Sequence, residues 1–171
     1  MTEGATTRAG VLTVSDGAAR GERVDRSGDL AAERLTALPA VVSWRRVVPD
    51  EPASIHAAVI AAADSTDLLI LTGGTGLGPR DVTPQTLRPL LDYEVPGLAE
   101  AMRARGLEHT RHAMLSRQVA GVRGGCLVLA LPGSPHAVAD CLDAVWEALP
   151  HALALLRGET AHAPHPQGSA A

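Results

Sequence analysis

Apolar positions along the chain alternate between two periods, and the alternation itself predicts the elements. Residues 8–15 (RAGVLTVS) and 41–48 (VVSWRRVV) are short β-rich runs, and residues 67–72 (DLLILT) form a continuous apolar run of the kind expected for a central parallel strand covered on both faces. Between them the spacing turns helical. Leu30, Leu35 and Leu38 lie on one face of a helix over residues 28–38, capped by Ser27 and stopped by Pro39, and Ile55, Val59 and Ile60 do the same over residues 53–63. The polar stretch 18–27 reads as a long loop. Strand, helix, strand, helix, strand at this spacing implies βαβ units and a parallel sheet.

Further helices are predicted over residues 83–91, with Thr83 as cap and Pro84 at the first helical position, and over residues 96–105. Residues 118–122 and 126–131 flank Arg123-Gly124-Gly125 and predict a hairpin, which makes the sheet mixed. Ser134-Pro135 opens a last long helix to about residue 149, and residues 151–157 add a short one. The fold class is therefore α/β with a mostly parallel mixed sheet. Residues 1–7 read as a flexible start, 8–157 as one domain, and 158–171, rich in Pro, His, Gly and Ala, as a disordered tail.

Length changes little in this picture: 171 residues suit one domain that buries roughly two thirds of its unfolded surface. Composition narrows the chemistry. Aromatic content is 2% with no Phe, so stacking platforms for single-stranded nucleic acid are excluded as a main device, and a net charge of −4 gives no general basic field for nucleic acid or membrane. Any anionic ligand must be small. No stretch has the length of a signal peptide's apolar core or of a membrane span, which predicts a cytoplasmic protein. Cys126 and Cys141, without CxxC spacing, read as buried free thiols. The seven histidines, among them His109 and His112 and the tail pair His162 and His165, read as solvated surface because no further ligands accompany them in the sequence.

The most informative segment is Thr72-Gly73-Gly74-Thr75-Gly76-Leu77-Gly78-Pro79-Arg80-Asp81. Glycines directly after a buried strand bring backbone N–H groups close to a ligand, the arrangement that cradles phosphate oxygens, and ligands of open α/β sheets bind outside the carboxyl ends of strands. It is not a P-loop, since no Gly-Lys-Ser/Thr follows. A carboxylate beside such a cradle repels the ligand unless a cation bridges them, which makes Asp81 a magnesium-ligand candidate; pairing with Arg80 or capping of the Thr83 helix is the other reading. Asp50, just past the second strand at the same end of the sheet, is a second candidate for metal binding or proton handling, against ordinary helix capping before Pro52. Pro132, Gly133, Ser134 and Pro135 join a strand end to a helix start, where an anion is favoured and where Ser134 also suits a cap. Ser15 and Asp16 follow the same pattern, as do Ser116 and Arg117, whose fork-shaped guanidinium suits a phosphate. The sum points to a small polyanionic ligand with a metal.

With these residues in view, the chain resembles the molybdopterin adenylyltransferase family, the MogA and MoaB-like proteins and the homologous domain of gephyrin. The resemblance runs through TVSD (13–16), GERVDRSGD (21–29), VPDE (48–51), LILTGGTGLGPRDVTP (69–84), VPGLAEAMR (95–103), LSR (115–117) and LPGSP (131–135). It implies a three-layer α/β/α fold, assembly as a homotrimer, and transfer of AMP from magnesium-ATP to the terminal phosphate of molybdopterin, with the product passed to a molybdenum-inserting partner. By motif it implies Asp50 and Asp81 as the acidic pair supporting metal-dependent transfer. Thr72, Gly73, Gly74, Thr75 and Gly76 would hold phosphates or pterin, with Ser15, Asp16, Ser116 and the Pro132 to Pro135 loop on the molybdopterin side. The alternative within the family is a MoaB-like protein that binds the pterin without turnover. One departure stands out: many members of the family carry a lysine after LPGxP, and this chain has His136.

Overall fold

The computed structural model describes residues 6–159. A six-stranded sheet of order β2-β1-β3-β6-β5-β4 forms the middle layer, built from β1 (Thr7–Val14), β2 (Ala40–Val48), β3 (Leu68–Thr72), β4 (Tyr93–Glu94), β5 (Val119–Arg123) and β6 (Cys126–Leu131). The pairs β1–β2, β1–β3 and β3–β6 are parallel, whereas β5 runs antiparallel to both β6 and β4. The sheet is mixed, as the hairpin pattern predicts.

Alternation of side chains along the strands divides the core in two. Val11, Ile70 and Leu129 face one layer, packing with α2 (Arg26–Leu35), α5 (Pro96–His109), α6 (Pro135–Val145) and α7 (Leu149–Leu156) through Leu35, Met102, Leu142 and Leu149. Leu12, Leu71 and Val128 face the other, against Ile55 and Val59 of α3 (Pro52–Ala63) and Leu87 of α4 (Thr83–Leu87). Both faces of β3 are fully buried, which is why its sequence shows no alternation. β2 lies at an edge, half open to solvent, and alternates accordingly.

Several details depart from the pattern-based expectation. A four-residue helix, α1 (Asp16–Ala19), capped by Ser15, runs into the start of the stretch expected to be loop. α2 begins earlier than expected because Asp25, not Ser27, caps it, accepting from the Gly28 amide at 2.9 Å. Thr83 lies inside α4, whose cap position is held by Val82, and residues 88–90 continue as a 3₁₀ turn. The long terminal helix is divided by a further 3₁₀ turn at residues 146–148, and β4 has no counterpart in the sequence reading. Cys126 and Cys141 are free and buried, and burial pushes their thiols up to about 11 and about 12. His162, His165 and most of the tail fall outside the described residues. No helix among those described is long and apolar enough to cross a membrane.

Strand order and register place the site. Thr13 pairs with Thr72, Thr72 with Leu131, and Val14 with Val48, so β1, β2, β3 and β6 end level on one rim. The chain leaves β1 toward β2 on one side and returns to β3 on the other, making β1/β3 a topological switch point where loops diverge and a crevice opens.

Candidate functional site

At that switch point lies a cavity of 640 Å³ lined by Ser15 after β1, Asp50 after β2, Gly73 and Gly74 after β3, and Asp81 beyond the glycine-rich loop, with Gly133 and Pro135 after β6. A second cavity of 480 Å³ continues along the rim, lined by Thr75, Gly76, Leu77, Leu115, Ser116, Pro132 and Ser134. The two share Gly74, Asp81 and Gly133, so they are lobes of one crevice that meet at the turn after β3.

The glycines of that turn are required by contact. At Gly73 (φ +103°) a Cβ would lie 2.1 Å from the Val14 carbonyl oxygen, and at Gly74 (φ +65°) it would lie 2.3 Å from Thr83 Oγ1 and 3.3 Å from Asp50 Oδ1. The carbonyls of the turn point into the protein. Gly73 O accepts from Thr83 Oγ1 (2.9 Å), Gly74 O from the Thr83 amide (3.1 Å), Thr75 O from the Arg117 amide (2.9 Å) and Gly76 O from Arg117 Nε (2.9 Å). Among the described residues the amides of Gly74, Thr75 and Gly76 donate to no protein acceptor. A turn with its acceptors engaged and its donors left over presents positive edges, which is the chemistry of an anion cradle.

Asp50 and Asp81 face this cradle. Asp50 Oδ2 accepts from the Asp16 amide at 2.7 Å, and the Asp50 amide donates to Asp16 Oδ1 at 3.0 Å, a reciprocal clasp between the ends of β1 and β2. Glu51, without a side-chain bond, occupies the cap position of α3, so Asp50 is not a helix cap. Partial burial raises its carboxyl above the ordinary aspartate value; the Asp16 amide opposes that, and the charges of Asp16 and Asp81 add to it. Asp81 Oδ2 accepts from the Gly78 amide at 2.8 Å and neither pairs with Arg80 nor caps α4. Two carboxylates beside left-over amides form a hard-oxygen set that fits magnesium, an ion held by one or two carboxylates together with substrate phosphates.

Several of the predicted residues are engaged by other parts of the protein. Asp16 forms a two-pronged ion pair with Arg80 (Nε to Oδ2 3.0 Å, Nη2 to Oδ1 2.9 Å), which with the Asp50 amide holds its carboxyl below the ordinary value. Its part is to position Asp50. Arg117, expected as a phosphate clamp, instead donates to the carbonyls of Gly76 and Asp81 and to Gln85 Oε1 (2.9 Å), because a sharply turned loop leaves carbonyls that need donors. Thr72 donates through Oγ1 to Pro132 O at 2.8 Å and ties β3 to the LPGSP loop. Thr75 and Ser116 share a hydroxyl hydrogen bond of 3.2 Å, and Ser134 caps α6 from the rim of the second lobe.

The sequence reading missed the part played by the start of α2 and the loop before it. Arg23, Asp25, Arg26 and Ser27 line the larger lobe, and Asp25 anchors them by accepting from Thr13 Oγ1 at 2.8 Å. Gly28 is fixed by the same anchor, since a Cβ there would lie 2.2 Å from Asp25 Oδ2. The signal was an Asp three residues ahead of a glycine amide, the spacing of a side-chain cap.

A mixed α/β sheet with a glycine-opened crevice at its switch point, facing two carboxylates, defines a class of α/β domains built to present one ligand crevice at the strand ends. Within that class the chain belongs to the family described as a probable molybdopterin binding domain, whose model matches residues 10–151. It is 46% identical over 86% of its length to a molybdenum cofactor biosynthesis bifunctional protein of Synechococcus elongatus, of which it covers 47%. The chain thus spans about half the length of the first curated relatives it matches. A molybdopterin adenylyltransferase of Helicobacter pylori is 37% identical, with 87% of each chain covered. The crystal structure of the molybdopterin biosynthesis enzyme MoaB from Thermus thermophilus superimposes with a TM-score of 0.82 at 52% identity, over 89% of this chain and 97% of that one.

Proposed function

We propose that the chain acts in molybdenum cofactor biosynthesis as a molybdopterin adenylyltransferase, taking magnesium-ATP and molybdopterin to adenylyl-molybdopterin and pyrophosphate. The observation that carries this reading is the meeting of the two lobes at Gly74, Asp81 and Gly133. Two phosphorylated ligands bound side by side would bring a terminal phosphate of one against the α-phosphate of the other at that junction. The attacking oxygen belongs to the substrate, so the protein needs no nucleophile; its task is orientation and the balancing of charge.

The amides of Gly74, Thr75 and Gly76 would hold phosphate oxygens, and Arg23 and Arg26 would add positive charge from the larger lobe. Asp50 and Asp81 would hold Mg²⁺, which, when bound, neutralises the charge that develops on the phosphates. Asp16 and Arg80 keep Asp50 in place, and Arg117 keeps the cradle in shape. The reading extends to a cytoplasmic homotrimer that passes its product to a molybdenum-inserting enzyme.

Pyrophosphate release by the purified protein tests the reading. Release is expected only with ATP, Mg²⁺ and molybdopterin together, and Asp81→Asn is expected to lower kcat on the order of 100-fold or more while leaving the melting temperature near that of the parent. Pterin binding without pyrophosphate release would make the chain a non-catalytic binding protein and overturn the assignment.

A further inference from the structure

Adjoining the second lobe of the crevice, a third cavity of 340 Å³ opens between α5 and α6, and its inner wall holds a group of side chains that the transfer reaction does not use. His136 and Asp140 stand four residues apart on α6 and so share one helix face. His109, the last residue of α5, reaches across to them: its Nδ1 lies 2.8 Å from Asp140 Oδ2, and its ring centroid lies 5.7 Å from that of His136. One donor atom from each of the three residues falls within 4.8 Å of the others. Asp140 is 8% exposed, so its carboxylate has left water for this arrangement.

A second observation comes from a residue of the same cavity wall. Gln118, 3% exposed, lines its wall and donates from Nε2 to Cys141 Sγ, but its buried Oε1 has no hydrogen-bond partner. A buried amide oxygen left over beside two imidazoles and a carboxylate calls for a donor, and a water held on a cation supplies one. Cys141 Sγ accepts from Gln118 and stands outside the group of three.

We infer that His109, His136 and Asp140 bind a divalent transition cation of the zinc type, with a coordination position left open toward the cavity. Two imidazoles and one carboxylate form a borderline nitrogen-rich set that selects Zn²⁺ or Co²⁺ over Mg²⁺, and three protein ligands with one open position mark a reactive rather than a purely structural site. The cation takes the place of the proton held between His109 Nδ1 and Asp140 Oδ2. Tetrahedral coordination asks for donors roughly 3.4 Å apart, closer than the outer limit of 4.8 Å seen here, so binding requires the two exposed imidazoles to draw in. The cavity shares His112, Ser116, Pro132 and Ser134 with the second lobe, so a ligand in that lobe lies next to the open position. None of this depends on AMP transfer.

Titration of the metal-free full-length protein with Co²⁺, followed by ligand-field absorption, reads the site directly. One Co²⁺ per chain is expected, displaced by Zn²⁺ and not by millimolar Mg²⁺. His109→Ala and His136→Lys are each expected to weaken uptake by more than the roughly 10–100-fold typical of losing an outer-shell partner. Zn²⁺ should raise the melting temperature of the parent and of neither variant. The double variant His162→Ala/His165→Ala should bind as the parent does. Absence of stoichiometric uptake, uptake unchanged in His109→Ala or His136→Lys, or its loss in the tail variant would each overturn the inference.

Discussion

Asp50 shows how one residue is tuned by its place at a strand end. The clasp with Asp16 fixes its carboxylate against the glycine turn, and the same placement withdraws it from water beside another acid, raising its titration above the ordinary aspartate value. The linkage sign follows. A folded-state value above the unfolded one means that the native state binds the proton more readily, so between the two values this group makes stability fall as pH rises. Asp16, held low by Arg80, acts the other way: the stability it contributes is present above the unfolded value and is lost as pH falls through the folded one. Carboxyl NMR titration of Asp50 without metal is expected to place it above an ordinary aspartate. Asp81→Asn should move it downward, because one of the repelling charges is gone. An unchanged value in that variant would mean that the two acids do not sense each other.

Among the elements, the glycine-rich turn is held by a residue far from it in sequence. Arg117 stands just before β5 and uses a planar fork to hold the carbonyls of Gly76 and Asp81, which Lys cannot do from one point charge. Arg117→Ala is therefore expected to destabilise the fold by about 2–4 kcal/mol in denaturant melts, since carbonyls with reduced access to water lose their donors. Arg117→Lys should recover less than half of that loss, and full recovery would show that charge alone suffices.

Here too the limits of sequence reading have a physical origin. β3 and β6 were legible because strands covered on both faces must be apolar throughout, and α6 because Ser134-Pro135 announces its start. β4 was not, since two residues carry no period and their pairing is supplied by β5. The rim positions of Asp50 and Asp81 followed from strand direction. The partnerships of Arg117 with Gly76 and of Arg80 with Asp16 span 41 and 64 residues and depend on the fold, so the sequence showed the residue types without their tasks. His109 read as a solvated side chain for the same reason: its partner Asp140 is 31 residues away.

For the molecule as a whole, topology sets the site before any side chain does. Four strands ending level, with the chain reversing its lateral direction between β1 and β3, leave a crevice that loops from four directions must line. Leu77, Met114 and Leu115 remain 66%, 62% and 49% exposed, and Leu77 and Leu115 line the second lobe. Exposed apolar side chains of this size support the proposed homotrimer, whose contacts would cover part of them. Light scattering on the eluting protein is expected to give three times the chain mass of 17.6 kDa, and a monomer mass would contradict that assembly.

The central claim is that Asp50, Asp81 and the turn after β3 make one pocket for a cation and a phosphorylated ligand. Calorimetric titration with ATP, with and without Mg²⁺, tests it most directly. The parent protein is expected to bind ATP on the order of tenfold more tightly with Mg²⁺. Asp50→Asn and Asp81→Asn should each remove most of that gain, and the double variant should lose little more than either alone, as residues sharing one ion do. An undiminished Mg²⁺ effect in the double variant would contradict the account.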